Sequence, residues 1–536
     1  MKEKNIVLSL GILFAFPAII NPFVKQTDIV SNDAENVTQV VQEKAKAFEP
    51  YAYLNEKLTN VKAQHITEEK NGYWSDIDMN GTINYDKVQG ISTFRGSNYR
   101  QNAFYGVANI KEKIFEKIWT NNIGYTDSWT GVGWNGQPSI IRWDNDTKLQ
   151  MNIYNEFKEK ENFTEVIIGG LDSIVHFYDL DTGLPSRPAI KVPSSIKGSI
   201  TVDPRGYPLL YVGQGIDAVN GTPVKMGYHI FSLINGEELL FIDGRDKFAY
   251  RGWGAFDGNP VIDAITDTMI LPGENGIIYI VKLNTKYDKK VGTISITPVI
   301  TRYRYTKNGK SGGVEDAITI YKKYAFFADN NGVVQALELS SLSPVWTFDM
   351  GDDCDATIGI EEENGEAFLY VGCEVDKRKT NSPAFVRKLN GRTGDKIWEY
   401  SCNCMYDGNT NGGVLSSPII GQKNIADLVI FNFSKVTSLR NGKIVALNKS
   451  DGKVVWEKDL NFYSWSSPVA IYDEKGDAYI ILCDFNGVIT LIDARTGETI
   501  TSLQTGGGNV EGSPAVFDNH IIFGTRGKKV YRIDIK

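Results

Sequence analysis

The chain repeats itself. "LNGRTGDKIWEY" (Leu389 to Tyr400) is followed by "LNKSDGKVVWEK" (Leu447 to Lys458), with a Leu, a polar turn ending in Gly and a Trp at matching offsets. The apolar residue that opens the motif recurs at Leu337 and Ile492, and in weaker copies at Tyr178, Leu233, Leu283 and Ile533. The steps are 55, 50, 54, 52, 58, 45 and 41 residues. A second series runs in phase: "GQPSI" at Gly136, "GSITV" at Gly198, "GNPVI" at Gly258, "DAITI" at Asp316, "ATIGI" at Ala356, "SSPII" at Ser416, "SSPVA" at Ser466 and "GSPAV" at Gly512. Eight anchors and eight starts make eight units.

Units of this length, each with room for about four short strands, are the pattern of a β-propeller. The expected fold is all-β, an eight-bladed propeller. A strand ends at the Leu, Gly supplies the positive φ of the turn, and the next strand carries Trp back along the sheet. One four-stranded blade cannot cover both its faces, so it stacks on its neighbours, and Trp346, Trp398 and Trp456 are expected between blades. The 52 Gly and the abundance of Tyr (26) and Phe (25) suit short strands and tight turns. The last anchor, Ile533, falls three residues before Lys536, so the last unit lacks its Trp strand. An orphan of that type, "KIFEKIWTNN" (Lys113 to Asn122, with Trp119), stands upstream of the first unit. It is expected to complete the last blade and close the ring.

"ALNxxxGKxxW", followed by "SSPxI" and an "xxxGxVxAL" strand, resembles the repeat of the pyrroloquinoline-quinone-type (PQQ-like) propellers. "STFRGSNYRQNAFYG" (Ser92 to Gly106) resembles their lead-in, and the resemblance covers residues 93–536. It implies a propeller and two sorts of function. The family's dehydrogenases hold a quinone over a Trp floor, beneath a disulfide between adjacent Cys, with Ca²⁺ on Glu, Asn and Asp. Other members are non-enzymatic scaffolds of outer-membrane assembly. This chain has no adjacent Cys pair, Cys402 and Cys404 being the nearest approach, and no C-x-x-C-H haem site. The expectation is therefore a binding or assembly scaffold without PQQ. A quinone- and Ca²⁺-dependent oxidoreductase and an extracellular carbohydrate binder are the alternatives.

The segments before the starts fall at equivalent places, near the channel on one face, and are the candidate ligand site. They bring Asp127, Trp129 and Trp134; Arg251, Trp253 and Asp257; Glu315 and Asp316; Asp352 and Asp355; Asp407 and Asn409; Trp465; and Glu511. Indole faces beside polar groups suit a sugar or another polar ligand, and converging carboxylates suit Ca²⁺. Turn chemistry and blade packing account for the same residue types. A separate Ca²⁺ candidate is "DIDMNGTIN", where Asp76, Asp78, Asn80 and Asn84 alternate around Gly81 as in short calcium loops. Lys87 occupies the twelfth position, which in an EF-hand carries a bidentate carboxylate, and Asp86 sits one residue early.

The chain divides into a leader (1–25), a partly helical spacer (26–72), an Asp-rich element (73–92) and the propeller (93–536). Lys2 and Lys4 before the apolar run Ile6 to Ile20 read as an export signal or signal anchor. The expected location is thus extracytoplasmic, secreted or at the cell surface, with membrane contact only through that leader. A net charge of −8 argues against nucleic-acid partners. The partner expected is a protein, a glycan or another polar small molecule. The four His (65, 176, 229, 520) have no metal-ligand spacing, and the pairing of the five Cys is open.

Overall fold

The computed structural model describes residues 51–70, 72, 73, 75–79, 81 and 85–536. The expected leader and the first part of the spacer lie outside the described residues. Eight antiparallel sheets, each built on four strands, form an eight-bladed propeller. Their innermost strands are Ser139–Arg142, Thr201–Val202, Val261–Asp263, Thr319–Tyr321, Gly359–Glu363, Ile419–Ile420, Val469–Tyr472 and Ala515–Phe517. Each begins three residues after the start of one of the eight in-phase motifs. The apolar core is a series of layers between neighbouring blades. One such layer joins Ile430, Ile444 and Ala446 of blade six to Ala470, Ile480 and Ile492 of blade seven.

The repeated tryptophan is the joint between blades. The indole N–H of Trp346 donates to Gly391 O (2.9 Å), that of Trp398 to Lys449 O (2.9 Å) and that of Trp456 to Ala494 O (3.1 Å). Each acceptor lies two residues past the anchor of the following blade. The ring then covers the turn glycine of that blade. A Cβ on Gly394, Gly452 or Gly497 would lie 2.5, 2.7 or 2.6 Å from the indole, and all three have positive φ (66°, 71° and 78°). Gly is therefore required twice over, for the turn and for the neighbour's Trp. In blade one Arg187 stands nine residues after the Tyr178 anchor and donates instead to Leu233 O of blade two (3.1 Å).

The ring closes as expected. Phe115–Asn122 pairs antiparallel with Lys529–Ile535, with a bulge between Lys117 and Trp119. The strands carrying Trp346, Trp398 and Trp456 have the same irregularity beside the anchor. Trp119 donates to Leu180 O of blade one (2.8 Å) and covers Gly183, so the closing joint is built like the internal ones. Pairing also covers an edge that would otherwise be open to other chains.

Of the segment expected to be a partly helical spacer, the described part begins at Tyr51. It holds one 3₁₀ turn, Asn55–Leu58, and a strand, Val61–Thr67, paired along the outer edge of blade three at Val299–Lys307. That nine-residue edge strand offers an unpaired ladder of main-chain groups, and the backbone of Val61–Thr67, in register from Val61 opposite Lys307 to Thr67 opposite Thr301, satisfies it. Gln89–Ile91, in the Asp-rich element, likewise pairs with the innermost strand of blade one.

Residues 92–103 fill the channel. Ser92 O accepts from Ser139 Oγ of blade one (3.2 Å) and Val202 N of blade two (2.8 Å). Asn98 O, Tyr99 O and Ala103 O accept from Ile320, Ile360 and Val516 of blades four, five and eight, each at 2.9 Å. Arg100 donates to Pro260 O of blade three (2.8 Å) and Ile318 O of blade four (3.0 Å). Arg95 donates to Pro468 O of blade seven (2.6 Å) and to Pro418 O of blade six. Both guanidinium groups are fully buried, and Arg95, Gly96 and Arg100 all have positive φ. One segment thus bonds to all eight blades.

Candidate binding site at the axial face

Two sets of loops meet on one face. The segments before the innermost strands meet the hairpins between second and third strands. Trp253 Nε1 donates to Glu274 Oε2 (2.7 Å), Arg251 to Asn330 Oδ1 (2.6 Å), and Arg526 pairs with Glu511 (2.7 Å). Sequence reasoning found Trp253, Arg251 and Glu511 and missed their partners Glu274, Asn330 and Arg526. Their signal was available in the Gly-ended hairpins "GENG", "DNNG" and "TRG" (Gly273, Asp329, Thr525), which read as ordinary turns.

An acidic pit lies where blades two, three and four adjoin. One carboxylate oxygen from each of Asp257, Glu274 and Glu315 lies within 4.8 Å of the others. Asn330 Nδ2 donates to Glu315 Oε1 (2.7 Å). Burial, then Asp257 and Glu315, pushes Glu274 well above the usual carboxylate range; burial and Asp257 raise Glu315. The Lys197 ammonium is 3.3 Å from Asp257 Oδ2. Burial opposes its charge, but the three carboxylates prevail and raise its pKa. Lys197 also lies over the Trp129 ring, 5.4 Å from its centroid, with Arg526 at 5.7 Å.

The acidic character continues into blade five. Asp355 and Glu374 are buried and both pushed well upward, first by desolvation. Asn411 donates to Glu374 (2.7 Å). Asp352 is held by Arg378 (2.8 Å) and Asp353 by Lys377 (2.9 Å). Asp376 is raised to about 7 by burial and by neighbouring Asp352. Asp316 faces the plug rather than the open site: it is buried, accepts from Ala328 N (3.3 Å) and feels the charge of Arg100.

The remaining expected residues form the rim. Trp465 packs edge-on to Phe485 (6.0 Å) beneath the Lys435 ammonium (5.9 Å). Asp407 is exposed, accepts from the N–H groups of Asn409 (2.9 Å) and Thr410 (2.7 Å), and is lowered by them to about 2. Asn409 is therefore a turn residue, its backbone serving Asp407. Asp127 is exposed with φ 53° and accepts from Asn220 N (2.7 Å). The Trp134 Nε1 is buried without a hydrogen-bond partner.

The calcium-loop residues Asn80 and Asn84 lie outside the described residues. Asp76 and Asp78 are exposed. Asp76 borders a cleft with Tyr73 and Thr268, whereas Asp86 borders another with Arg95 and Gln101. Asp86 accepts from Ser92 Oγ (2.5 Å), and burial raises it to about 8. All five Cys are free thiols. Cys402 and Cys404 sit on Lys396–Cys404, the outermost strand of blade five. The channel interior is held by the plug.

Residues 307–536 match the family model described as outer membrane protein assembly factor BamB. A BamB of Kangiella koreensis is 24% identical over 169 residues, 26% of this chain and 42% of that protein. A quinoprotein ethanol dehydrogenase of Pseudomonas putida is 25% identical over 167 residues, 30% of this chain and 24% of that protein. Each match thus spans less than half of the relative's length. The quinohemoprotein alcohol dehydrogenase of Comamonas testosteroni superposes with a TM-score of 0.54 at 13% identity, over 84% of this chain and 81% of that one. That likeness is one of fold. The repeat and the ring make the chain an eight-bladed β-propeller, and the match to the PQQ-type repeat model lies in residues 307–536. Within that class its sequence matches extend to both an assembly factor and a quinone dehydrogenase.

Proposed function

We propose that this propeller is an extracytoplasmic, non-enzymatic scaffold that holds a protein partner on its axial face. The filled channel carries the reading. With residues 92–103 bonded to every blade, a partner meets a shallow dish of loops rather than a deep cofactor cavity. The dish has the mixture that protein recognition uses: half-exposed indoles at Trp129, Trp253 and Trp465, with acidic and basic groups beside them. The paired segments Glu374–Val375 and Gly412–Gly413 tie the loops of blades five and six together and stiffen that rim. The similarity to an outer-membrane assembly factor supports the same reading.

The test is photo-crosslinking from a reactive residue placed at Asp127 or Asn409, with the exposed outer-strand position Ile397 as control. The expected result is a discrete protein adduct from the dish positions alone, lost on Trp465→Ala. Adducts equal at all three positions, or dye-linked alcohol oxidation on adding PQQ and Ca²⁺, would overturn the proposal.

A further inference from the structure

The three carboxylates of the acidic pit bring one oxygen each to within 4.8 Å of the others, and their surroundings leave Asp257 and Glu274 short of partners. Asp257 is 1% exposed and neither of its oxygens receives a hydrogen bond. Glu274 is 3% exposed; its Oε2 is taken by Trp253, while its Oε1 has no donor. Glu315 has one oxygen held by Asn330. A buried carboxylate oxygen without a partner costs about 1–3 kcal/mol, and more when charged. One oxygen from each of the three residues, within 4.8 Å of the others, adds mutual repulsion when the groups are charged. The adjacent cation, Lys197, offsets one of the three charges and leaves two.

We infer that Asp257, Glu274 and Glu315 form a binding site for a divalent cation of the Ca²⁺ type. All three side chains offer hard oxygen ligands, and no His or Cys belongs to the group, which disfavours zinc and copper. Ca²⁺ tolerates an irregular set of six to eight oxygens, which three carboxylates supply in part and water completes; Mg²⁺ demands a near-ideal octahedron at shorter distances. The charge balance closes in the loaded site, where the ion displaces any carboxyl proton and faces the two negative charges that Lys197 does not offset. Lys197 keeps its seat over Trp129 (5.4 Å) when the ion enters. The set is not the Glu–Asn–Asp arrangement the family resemblance implies, because its third ligand is a second Glu and Asn330 is turned to Arg251 and Glu315. The inference stands apart from the partner reading: a bound ion would stiffen the loops of blades two to four whether or not a protein docks above them.

Trp253 supplies the probe. Its indole touches Glu274 (2.7 Å), so a Tb³⁺ ion in the site should be sensitised by excitation of tryptophan. Chelator-treated full chain should show Tb³⁺ luminescence on adding Tb³⁺, should lose it as Ca²⁺ displaces the lanthanide, and should melt higher with millimolar Ca²⁺. Glu274→Gln and Asp257→Asn should each weaken Ca²⁺ at least tenfold by calorimetry, while melting in chelator no lower than the parent. Trp253→Phe should weaken the luminescence, leaving the part that Trp129 sensitises, and keep the calorimetric binding. A chelator-treated parent with no Ca²⁺ heat and no shift in melting would overturn the inference. So would Ca²⁺ binding that survives unchanged in the Glu274→Gln, Asp257→Asn double variant.

Discussion

At the scale of the residue, the glycine of the repeated turn does two jobs at once. Gly452 has φ 71°, and its missing Cβ leaves room for the Trp398 ring. Gly452→Ala should therefore cost more than the about 1–2 kcal/mol of a left-handed alanine, because the indole must also shift; denaturant unfolding checks it. Asp86 makes the second prediction. Its carboxyl is held near 8 in the fold, against 3.8 for the free group. The folded state thus binds the proton more tightly than the unfolded one, so the stabilisation is full below about pH 4 and drains away as pH rises toward 8. Melting temperature should fall across that window, and Asp86→Asn should reduce the slope. Asp376, raised to about 7, drains in the same direction and leaves a residual slope in that variant.

At the scale of the element, the closing strand is the most informative piece, because it is an ordinary blade strand displaced to the far end of the chain. Deleting residues 115–122 removes seven paired positions and the Trp119 joint, and bares the edge at Lys529–Ile535. The expected outcome is loss of the single sharp melt and concentration-dependent aggregation, read by calorimetry and light scattering. The milder Trp119→Ala should cost about 3–5 kcal/mol. This strand was legible in the sequence because it keeps the repeat's spacing of lysine, apolar residues and Trp, as were all eight innermost strands. The strand Val61–Thr67 was not, since "VKAQHIT" belongs to no unit of the repeat and its partner is chosen by an open edge far along the chain. Half of the dish was legible for the same reason: the residues before each start follow the repeat, whereas Lys197, Glu274 and Asn330 share a place only once the ring exists.

At the scale of the whole molecule, the plug decides how the ring holds. A pair of wholly buried arginines runs against the ordinary preference of that residue for the surface, which is why "FRGSNYR" reads as a lead-in rather than a core. Burial lowers Arg95 to about 9 and Arg100 to about 10, so both stay charged near neutrality and must be satisfied by carbonyls of several blades. Arg95→Lys keeps the charge but cannot fork to Pro418 and Pro468 together. We expect a loss of about 2–4 kcal/mol, with unfolding still in one step, measured by urea denaturation. The order of synthesis follows from where this segment sits. Residues 92–103 leave the ribosome before any blade is complete, yet every blade needs them for a hydrogen bond. The early stretch is a hub waiting for its spokes: each sheet can dock on it in turn as it emerges, and the last to arrive meets a wheel whose axle is already in place.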